Sequence, residues 1–217
     1  MKRLLLLTAA CCIINVSKAQ ITKGSTMIGG YLGYYYDGIS NLDSSITNKN
    51  VTNNYYFGIN YAKCFKENTF WGVTGSISFS EIKSSSNSNV QSTFQSQQRR
   101  NFNLGVFERK YYPIISNLFV FYQAGIGLNI NNQTYSSLLN SNNGYGINLY
   151  ALPGISYKVS KKIFLEADLS NLINIDYAHL ETNNPNTYTR NTFSSTIQLP
   201  TQILQNLNVG MTVIIGK

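Results

Sequence analysis

The feature that most constrains this chain is an alternation of apolar and polar residues with a period of two, which runs from Tyr145 to Asp176. Between Tyr145 and Tyr157 every second residue belongs to an almost wholly apolar row, and most residues between them are small or polar. After a polar break at residues 159–162 the alternation resumes, with Asn171 as the single polar residue in the apolar row. Because successive side chains of a β-strand point to opposite faces, the pattern predicts two strands that each have an apolar and a polar face. The short connection between them indicates an antiparallel hairpin.

The start of the chain suggests where such two-faced strands are used. A basic start and a mainly apolar run from Leu4 to Val16 are followed by small residues up to Ala19. This layout is typical of a secretory signal peptide, and the apolar run is too short to cross a bilayer comfortably as a helix. We predict cleavage after Ala19, which leaves residues 20–217 as one mature domain. Long two-faced strands in an exported chain favour a membrane barrel whose apolar face contacts lipid and whose polar face lines the lumen.

The three cysteines bear on processing and on stability. If Cys11 or Cys12 carried a lipid, the protein would be a lipoprotein; the residues before Cys11 match the motif that this requires poorly, so we favour simple cleavage. After cleavage only Cys64 remains, and no intramolecular disulfide can form. The stability of the exported protein must therefore come from its fold.

Charge and hydropathy exclude two further classes of protein. Cleavage removes Lys2, Arg3 and Lys18 and lowers the formal net charge from +8 to +5. The remaining basic residues are scattered rather than arranged in a stripe, so we predict no nucleic-acid binding. No segment after the signal has the apolar length of a membrane helix, and a membrane-spanning form would have to be a barrel.

The same alternation, followed along the mature chain, predicts eight strands, at residues 25–36, 54–65, 69–81, 99–112, 118–130, 145–158, 163–177 and 207–215. Long polar loops are predicted at residues 37–53, 82–98, 131–143 and 178–206, and short turns lie between them. Part of the last loop, residues 187–199, is expected to extend the strands beyond the membrane. Short turns on one side and long loops on the other are what an eight-stranded antiparallel up-and-down transmembrane β-barrel requires.

Some positions in these strands lead to separate expectations. Glu108 and Lys110 fall on the apolar face of the fourth strand, either at the headgroup level near the strand end or at a bulge. Pro153 cannot donate to the ladder, so we expect a bulge or a distortion in the sixth strand. Aromatic residues near strand ends predict girdles at the two membrane interfaces; they are Tyr34, Tyr35, Tyr36, Tyr55, Trp71, Tyr111, Tyr112 and Tyr157.

Four segments carry a resemblance to a known family: TMIGGYLGYYY (26–36), NLGVFERKYYPI (103–114), FYQAGIGLNI (121–130) and LPGISYKVSKKIFLEADL (152–169). In their order and spacing the whole mature chain resembles the small outer-membrane β-barrel proteins of Gram-negative bacteria, of the outer-membrane protein A and X type. Within them it is most similar to the outer membrane protein beta-barrel domain family. The resemblance implies a monomer in the cell outer membrane, in contact with the lipid bilayer and lipopolysaccharide. Such barrels usually end on an aromatic residue, whereas this sequence ends Ile215-Gly216-Lys217, a difference that bears on assembly rather than on the fold.

His179 is the only candidate for catalysis. It is the single histidine, and Asp176 and Glu181 are close to it in sequence. Some lipid A-modifying enzymes are small barrels with a His, a Ser and a carboxylate, so an outer-membrane enzyme that acts on lipid is one alternative function. Catalysis needs a nucleophile within hydrogen-bond reach of its base, and the sequence fixes none, so we predict no enzymatic activity. A single His and a single mature Cys also predict no metal site, and we expect no cofactor.

Three charged residues, Arg109, Glu166 and Asp168, enter the lumen according to the alternation. Unpaired charge in a tight lumen is unfavourable, so we expect the three to neutralise one another. We favour a structural plug over a gated ion path, because the lumen of an eight-stranded barrel is filled by side chains. The main hypothesis is a non-enzymatic surface barrel whose long loops contact an extracellular protein or glycan. The lipid-modifying enzyme and a narrow channel remain alternatives.

Overall fold

One antiparallel sheet closes into a ring. The computed structural model describes residues 20–43, 46–88, 92–135, 141–169, 172–183, 188–197 and 207–216. Consecutive strands from β1 to β7 are neighbours, β10 pairs with β7, and β10 returns to β1, which gives a ring of eight strands. The predicted eight-stranded antiparallel barrel is confirmed. The strands are β1 Thr26–Asp43, β2 Ile46–Lys66, β3 Thr69–Ser88, β4 Ser92–Ile115, β5 Leu118–Tyr135, β6 Ser141–Lys158, β7 Ile163–Leu169, β8 Ile173–Asn183, β9 Tyr188–Ile197 and β10 Leu207–Ile215.

The predicted seventh strand is divided into β7 and β8. Both pair with the same edge of β6, where Asp168 faces Gly154 and Ile173 faces Ala151. From Asp168 to Ile173 the chain advances by five residues, whereas from Gly154 to Ala151, their partners in β6, it advances by three. The predicted seventh strand therefore has two extra residues at this point. Pro153, which has no N–H to donate, lies opposite this interruption. Pairing of β6 with β5 shows no register shift, so the expected distortion lies in the neighbouring strand rather than in β6 itself.

Hairpins extend the barrel at one end and correct the predicted long loops. All described residues within the predicted loops 37–53, 82–98, 131–143 and 178–206 are strand. The β1–β2 pair continues to Asp43–Ile46, and the β2–β3 pair to Ile46–Ser88, so neighbouring hairpins are joined to each other. The extension predicted for residues 187–199 is present as β9, which pairs with β8.

The opposite end has short turns, and the residues before β1 fold across it. Asn68, in the turn between β2 and β3, has a φ of 59°, a left-handed conformation that asparagine tolerates better than most residues. The Asn68 Oδ1 atom accepts a hydrogen bond from the Ile21 N–H at 2.8 Å, and the Asn68 N–H donates to the Ile21 carbonyl at 3.1 Å. Ile21 is buried. Residues 20–25 therefore close the short-turn end of the barrel.

Aromatic side chains fill the lumen above this closure. Tyr111 is 1% exposed and lies 5.8 Å from Phe70 and 5.4 Å from Phe121 between ring centres. The prediction that Tyr111 belongs to an outer girdle is wrong, because it shares the inward face of β4 with Arg109. Small inward residues make room for such rings: a Cβ atom on Gly154 would lie 2.2 Å from the Phe121 ring. The described residues contain no helix that is long and apolar enough to cross a membrane.

Candidate functional site

The outside of the ring is an apolar belt. Outward residues run along β3 from Trp71 to Phe79 and along β5 from Val120 to Ile130. Each run has about the length that a tilted strand needs to cross the hydrocarbon core of a bilayer, ~9–11 residues. So large an apolar surface is not stable in water, and it is the surface of a transmembrane barrel. Its exposed members include Ile28, Leu32, Phe57, Ile59, Val73, Leu104, Val106, Ile126, Leu128, Ile147, Leu149, Ile155, Leu165, Val209 and Met211.

Aromatic side chains at the short-turn border of the belt hold the two outward charges of β4. The Trp71 Nε1–H donates to Glu108 Oε2 at 2.7 Å, and the Tyr122 hydroxyl donates to Glu108 Oε1 at 3.1 Å. The Lys110 Nζ atom lies 5.0 Å from the centre of the Tyr112 ring. Register in β3–β4 is regular at these positions, so the bulge alternative is wrong. Glu108 and Lys110 are outward residues near the strand end, as the first alternative required.

Inside the ring, the Glu166 carboxylate accepts hydrogen bonds from side chains of three other strands. Arg109 is 2% exposed, and its Nη1–H donates to Glu166 Oε2 at 2.7 Å. The hydroxyls of Tyr111, Ser156 and Thr212 also donate to the Glu166 carboxylate, at 2.6, 3.3 and 2.8 Å. These donors come from β4, β6 and β10 and surround Glu166 from three sides. The predicted pairing of Arg109 with Glu166 is confirmed.

The rest of the Arg109 side chain is also held. Its Nε–H donates to Gln123 Oε1 at 2.8 Å, and the guanidinium carbon lies 4.6 Å from the centre of the Phe121 ring. Four buried aromatic rings, of Phe70, Tyr111, Phe119 and Phe164, lie in the short-turn half of the lumen. The ion pair and these rings form a side-chain plug, which we call the lumen plug. Its residues are Phe70, Arg109, Tyr111, Phe119, Phe121, Phe164 and Glu166.

Asp168 does not join the ion pair, which corrects the expectation for the three charges. Its Oδ1 atom accepts a hydrogen bond from Asn208 Nδ2 at 2.8 Å. Among the described residues, no Lys, Arg or His lies within ion-pair distance of Asp168. Alternation gave its face correctly, but the partner depends on the register of β7 with β10, where Asp168 faces Asn208. The carboxylate lies on the wall of the cavity above the plug.

That cavity, which we call the vestibule, has a volume of about 490 Å³. It begins at Arg109 and Gln123 and continues to Ser80, Arg99 and Asn131 near the hairpin end. Its wall is rich in amides and hydroxyls, which are linked in part to each other. Asn103 Nδ2, for example, donates to Asn148 Oδ1 at 3.1 Å and also to Asn129 Oδ1. Sequence reasoning missed this cavity because the inward rows of the strands reveal polarity but not the space between them.

His179 contacts an amide, a carboxylate and an aromatic ring. The imidazole Nδ1 atom lies 2.7 Å from Asn191 Oδ1, and Nε2 lies 3.6 Å from Glu181 Oε1. The ring packs on Tyr145, with 5.0 Å between ring centres. Asp176, three residues earlier, lies on the opposite face of β8 and lines the vestibule. The structure therefore does not bring Asp176 and His179 together.

The described residues contain no group of three or more His, Cys, Asp or Glu side chains that could hold a metal ion.

In the comparisons with known proteins, no family model matches the chain, and no curated protein matches it significantly. Among solved structures, the chain is similar to the outer membrane protein OprG from Pseudomonas aeruginosa, with 12% identity, a TM-score of 0.48, and coverage of 90% of this chain and 97% of that chain. It is also similar to Neisserial surface protein A, with 14% identity, a TM-score of 0.37 and coverage of 88% and 99%.

A third solved structure is the translocator domain of the autotransporter NalP from Neisseria meningitidis. Its identity to this chain is 10%, its TM-score is 0.26, and the match covers 98% of this chain and 94% of that chain. At these identities and TM-scores, the assignment of the fold rests on the strand pairing described above.

Proposed function

We propose that this protein is an integral outer-membrane β-barrel that does not conduct ions and that acts at the cell surface through its extended hairpins. The observation that carries the proposal is the lumen plug, which fills the short-turn half of the barrel with aromatic rings and a saturated ion pair. A plugged lumen leaves the hairpins as the part of the molecule that is free to contact a macromolecule. Such contacts are disproportionately found on the segments that a rigid scaffold presents to solvent.

The membrane and the orientation follow from the same features. An even-numbered antiparallel ring with an apolar belt, short turns at one end and long hairpins at the other is the arrangement of bacterial outer-membrane barrels. We place the short turns on the periplasmic side and the hairpins outside. The belt contacts the lipid bilayer and lipopolysaccharide as a monomer. The Ser-, Asn- and Thr-rich hairpins suit an extracellular protein or glycan better than a small apolar ligand.

Conductance tests the plug directly. The mature protein, reconstituted in a planar bilayer beside a general porin as control, is expected to show no regular current steps. Reproducible steps of uniform size would contradict the plug and favour the narrow channel.

A shortened hairpin tests the site of action. Lys83 and Ser96 are cross-strand partners in β3 and β4, so an Asn-Gly turn can replace residues 84–95. We expect this variant to remain a folded barrel, seen as a heat-dependent shift on a gel, and to lose crosslinks to its surface partner on intact cells. A matched variant shortened between Gln133 and Asn142, which are partners in β5 and β6, shows whether one hairpin or several are needed. If both variants fold and keep every crosslink, the hairpins are not the site of action.

The proposal assigns no enzymatic activity. His179 contacts Asn191, Glu181 and Tyr145, and no observation favours a reaction on lipid. Changing His179 to Ala should leave the mass of lipid A in the outer membrane unchanged. A shift in that mass would contradict the proposal and favour the alternative that the protein is a lipid-modifying enzyme.

A further inference from the structure

The vestibule contains two carboxylates, of Asp168 and Asp176, that form no ion pair with a cation of the described residues. Asp168 is 8% exposed, yet the hydrogen-bond partner that it has among the described residues, Asn208, is an uncharged amide. Asp176 likewise accepts a hydrogen bond from an amide, that of Asn174. A buried carboxylate without a cationic partner is unfavourable, and a bound cation would remove that cost.

In the described structure, neither arginine of the cavity wall forms an ion pair with Asp168 or Asp176. Arg109 already forms its ion pair with Glu166 at 2.7 Å. Arg99 lies on the same strand near the hairpin end, about 33 Å further along β4 at ~3.3 Å per residue. With Arg109 paired to Glu166, the Asp168 carboxylate therefore leaves an excess of negative charge in its part of the vestibule, whereas Arg99 lies nearer the hairpin end.

The remaining wall suits the body of an organic molecule. Tyr31, Tyr56 and Tyr150 line the vestibule, and the rings of Tyr31 and Tyr56 pack with 5.2 Å between their centres. Aromatic faces attract cations, most strongly where water is excluded. Two amide oxygens of the wall, Asn101 Oδ1 and Asn174 Oδ1, are buried and have no hydrogen-bond partner. They are positioned to accept hydrogen bonds from a ligand that has N–H or O–H groups.

We propose that the vestibule binds a small organic amine from the cell exterior, with an ammonium group beside Asp168. Asp176 and the unpartnered amide oxygens receive the other donors of the ligand, and the tyrosines contact its carbon chain. The volume of about 490 Å³ lies within the usual range of small-molecule sites, roughly 300–1,000 Å³. This inference goes beyond the surface role proposed above and does not depend on it.

The test compares two probes of equal length in titration calorimetry of the detergent-purified mature barrel. Putrescine carries two ammonium groups, and 1,4-butanediol carries hydroxyls in their place. We expect putrescine to bind at least tenfold more tightly than butanediol. Added KCl should weaken the binding of putrescine, because salt screens its attraction to the carboxylates. Equal affinities for the two probes would overturn the proposal. Displacement of putrescine by Mg²⁺ at equal concentration would also overturn it, because the site would then be one for inorganic cations.

Matched variants locate the site. Asp168→Asn should weaken putrescine binding at least tenfold, and Asp176→Asn should weaken it to a smaller extent. Glu181→Gln, which removes a carboxylate on the outer face of β8, is the control and should bind as the parent does. Heat-dependent migration on a gel shows whether each variant is folded. If Asp168→Asn does not fold, Asp176→Asn is the variant that tests the site. Unchanged binding in the folded Asp variants, or an equal loss in Glu181→Gln, would contradict a site in the vestibule.

Discussion

At the scale of single residues, the Glu166 carboxylate is the most connected polar group of the lumen. Its four donors come from Arg109, Tyr111, Ser156 and Thr212, and all of them are buried. In such a cluster the loss of one charged partner is more damaging than the loss of both, since the remaining charge stays buried without compensation.

The ion pair gives the first prediction. Arg109→Ala should lower the free energy of unfolding by about 3–5 kcal/mol, because it leaves the Glu166 charge unpaired. Adding Glu166→Gln should restore part of that loss. Unfolding in urea, followed by the fluorescence of the single tryptophan, measures both.

Asp168 provides the control for the combined Arg109 and Glu166 variants. Since it lies outside the ion pair, Arg109→Ala combined with Asp168→Asn should recover less stability than the combination with Glu166→Gln. If the Arg109 and Glu166 changes are simply additive, the two side chains do not interact.

Sequence alone gave the face of these residues but not their partners. Alternation placed Arg109, Glu166 and Asp168 in the lumen, where the structure has them. It could not distinguish the carboxylate that meets Arg109 from the one that meets Asn208, because that choice depends on cross-strand register. The prediction for Tyr111 fails for another reason. A position near a strand end suggests a girdle, but Tyr111 is two residues from Arg109 and therefore lies on the same inward face of β4.

At the scale of the strands, the sequence signal follows the environment. Where one face meets lipid and the other the lumen, the two rows differ and the strands can be predicted. Beyond the belt, residues 82–88 and 92–98 are polar in both alternating rows except for Ile82 and Phe94, so in the sequence they resemble a loop. Backbone pairing forms strands there without any period of two. The eight predicted strands therefore match the eight-stranded ring, but most of them are shorter than the observed strands.

The two faces of β6 give the second prediction. Leu149→Arg places a charge on the lipid side and should lower the free energy of folding into bilayers by ~2–4 kcal/mol. Asn148→Arg, one residue earlier, points into the vestibule and should be tolerated much better. Folding titrations in lipid vesicles measure both. Equal tolerance at the two positions would refute the assignment of the faces, and Ile77 and Leu165 offer the same comparison on β3 and β7.

At the scale of the whole molecule, the described residues close the lumen at its short-turn end. Residues 20–25 and the plug fill the short-turn end, and the vestibule lies above them. The closure includes the Ile21 N–H, which donates to Asn68.

Processing gives the third prediction. Mass spectrometry of the mature protein should find an N-terminus at Gln20 without a lipid, since the chain then starts one residue before the contact of Ile21 with Asn68. The signal segment, residues 1–19, lies outside the described residues. A diacylated terminus at Cys11 or Cys12 would overturn the predicted cleavage.

The continuous pairing of β2 with β3 also fixes a distance. From Asn53 to Ile46 the strand rises by roughly 23 Å at ~3.3 Å per residue, or roughly 16–19 Å along the membrane normal at the usual strand tilt. Because residues 46–53 remain in a hydrogen-bonded ladder with β3, this stretch acts as a spacer of defined length rather than as a flexible tether. If the hairpins face outward, as proposed above, a macromolecule too bulky to penetrate the sugar layer of the outer leaflet can still contact them, and the length of the strand sets how closely it approaches the membrane.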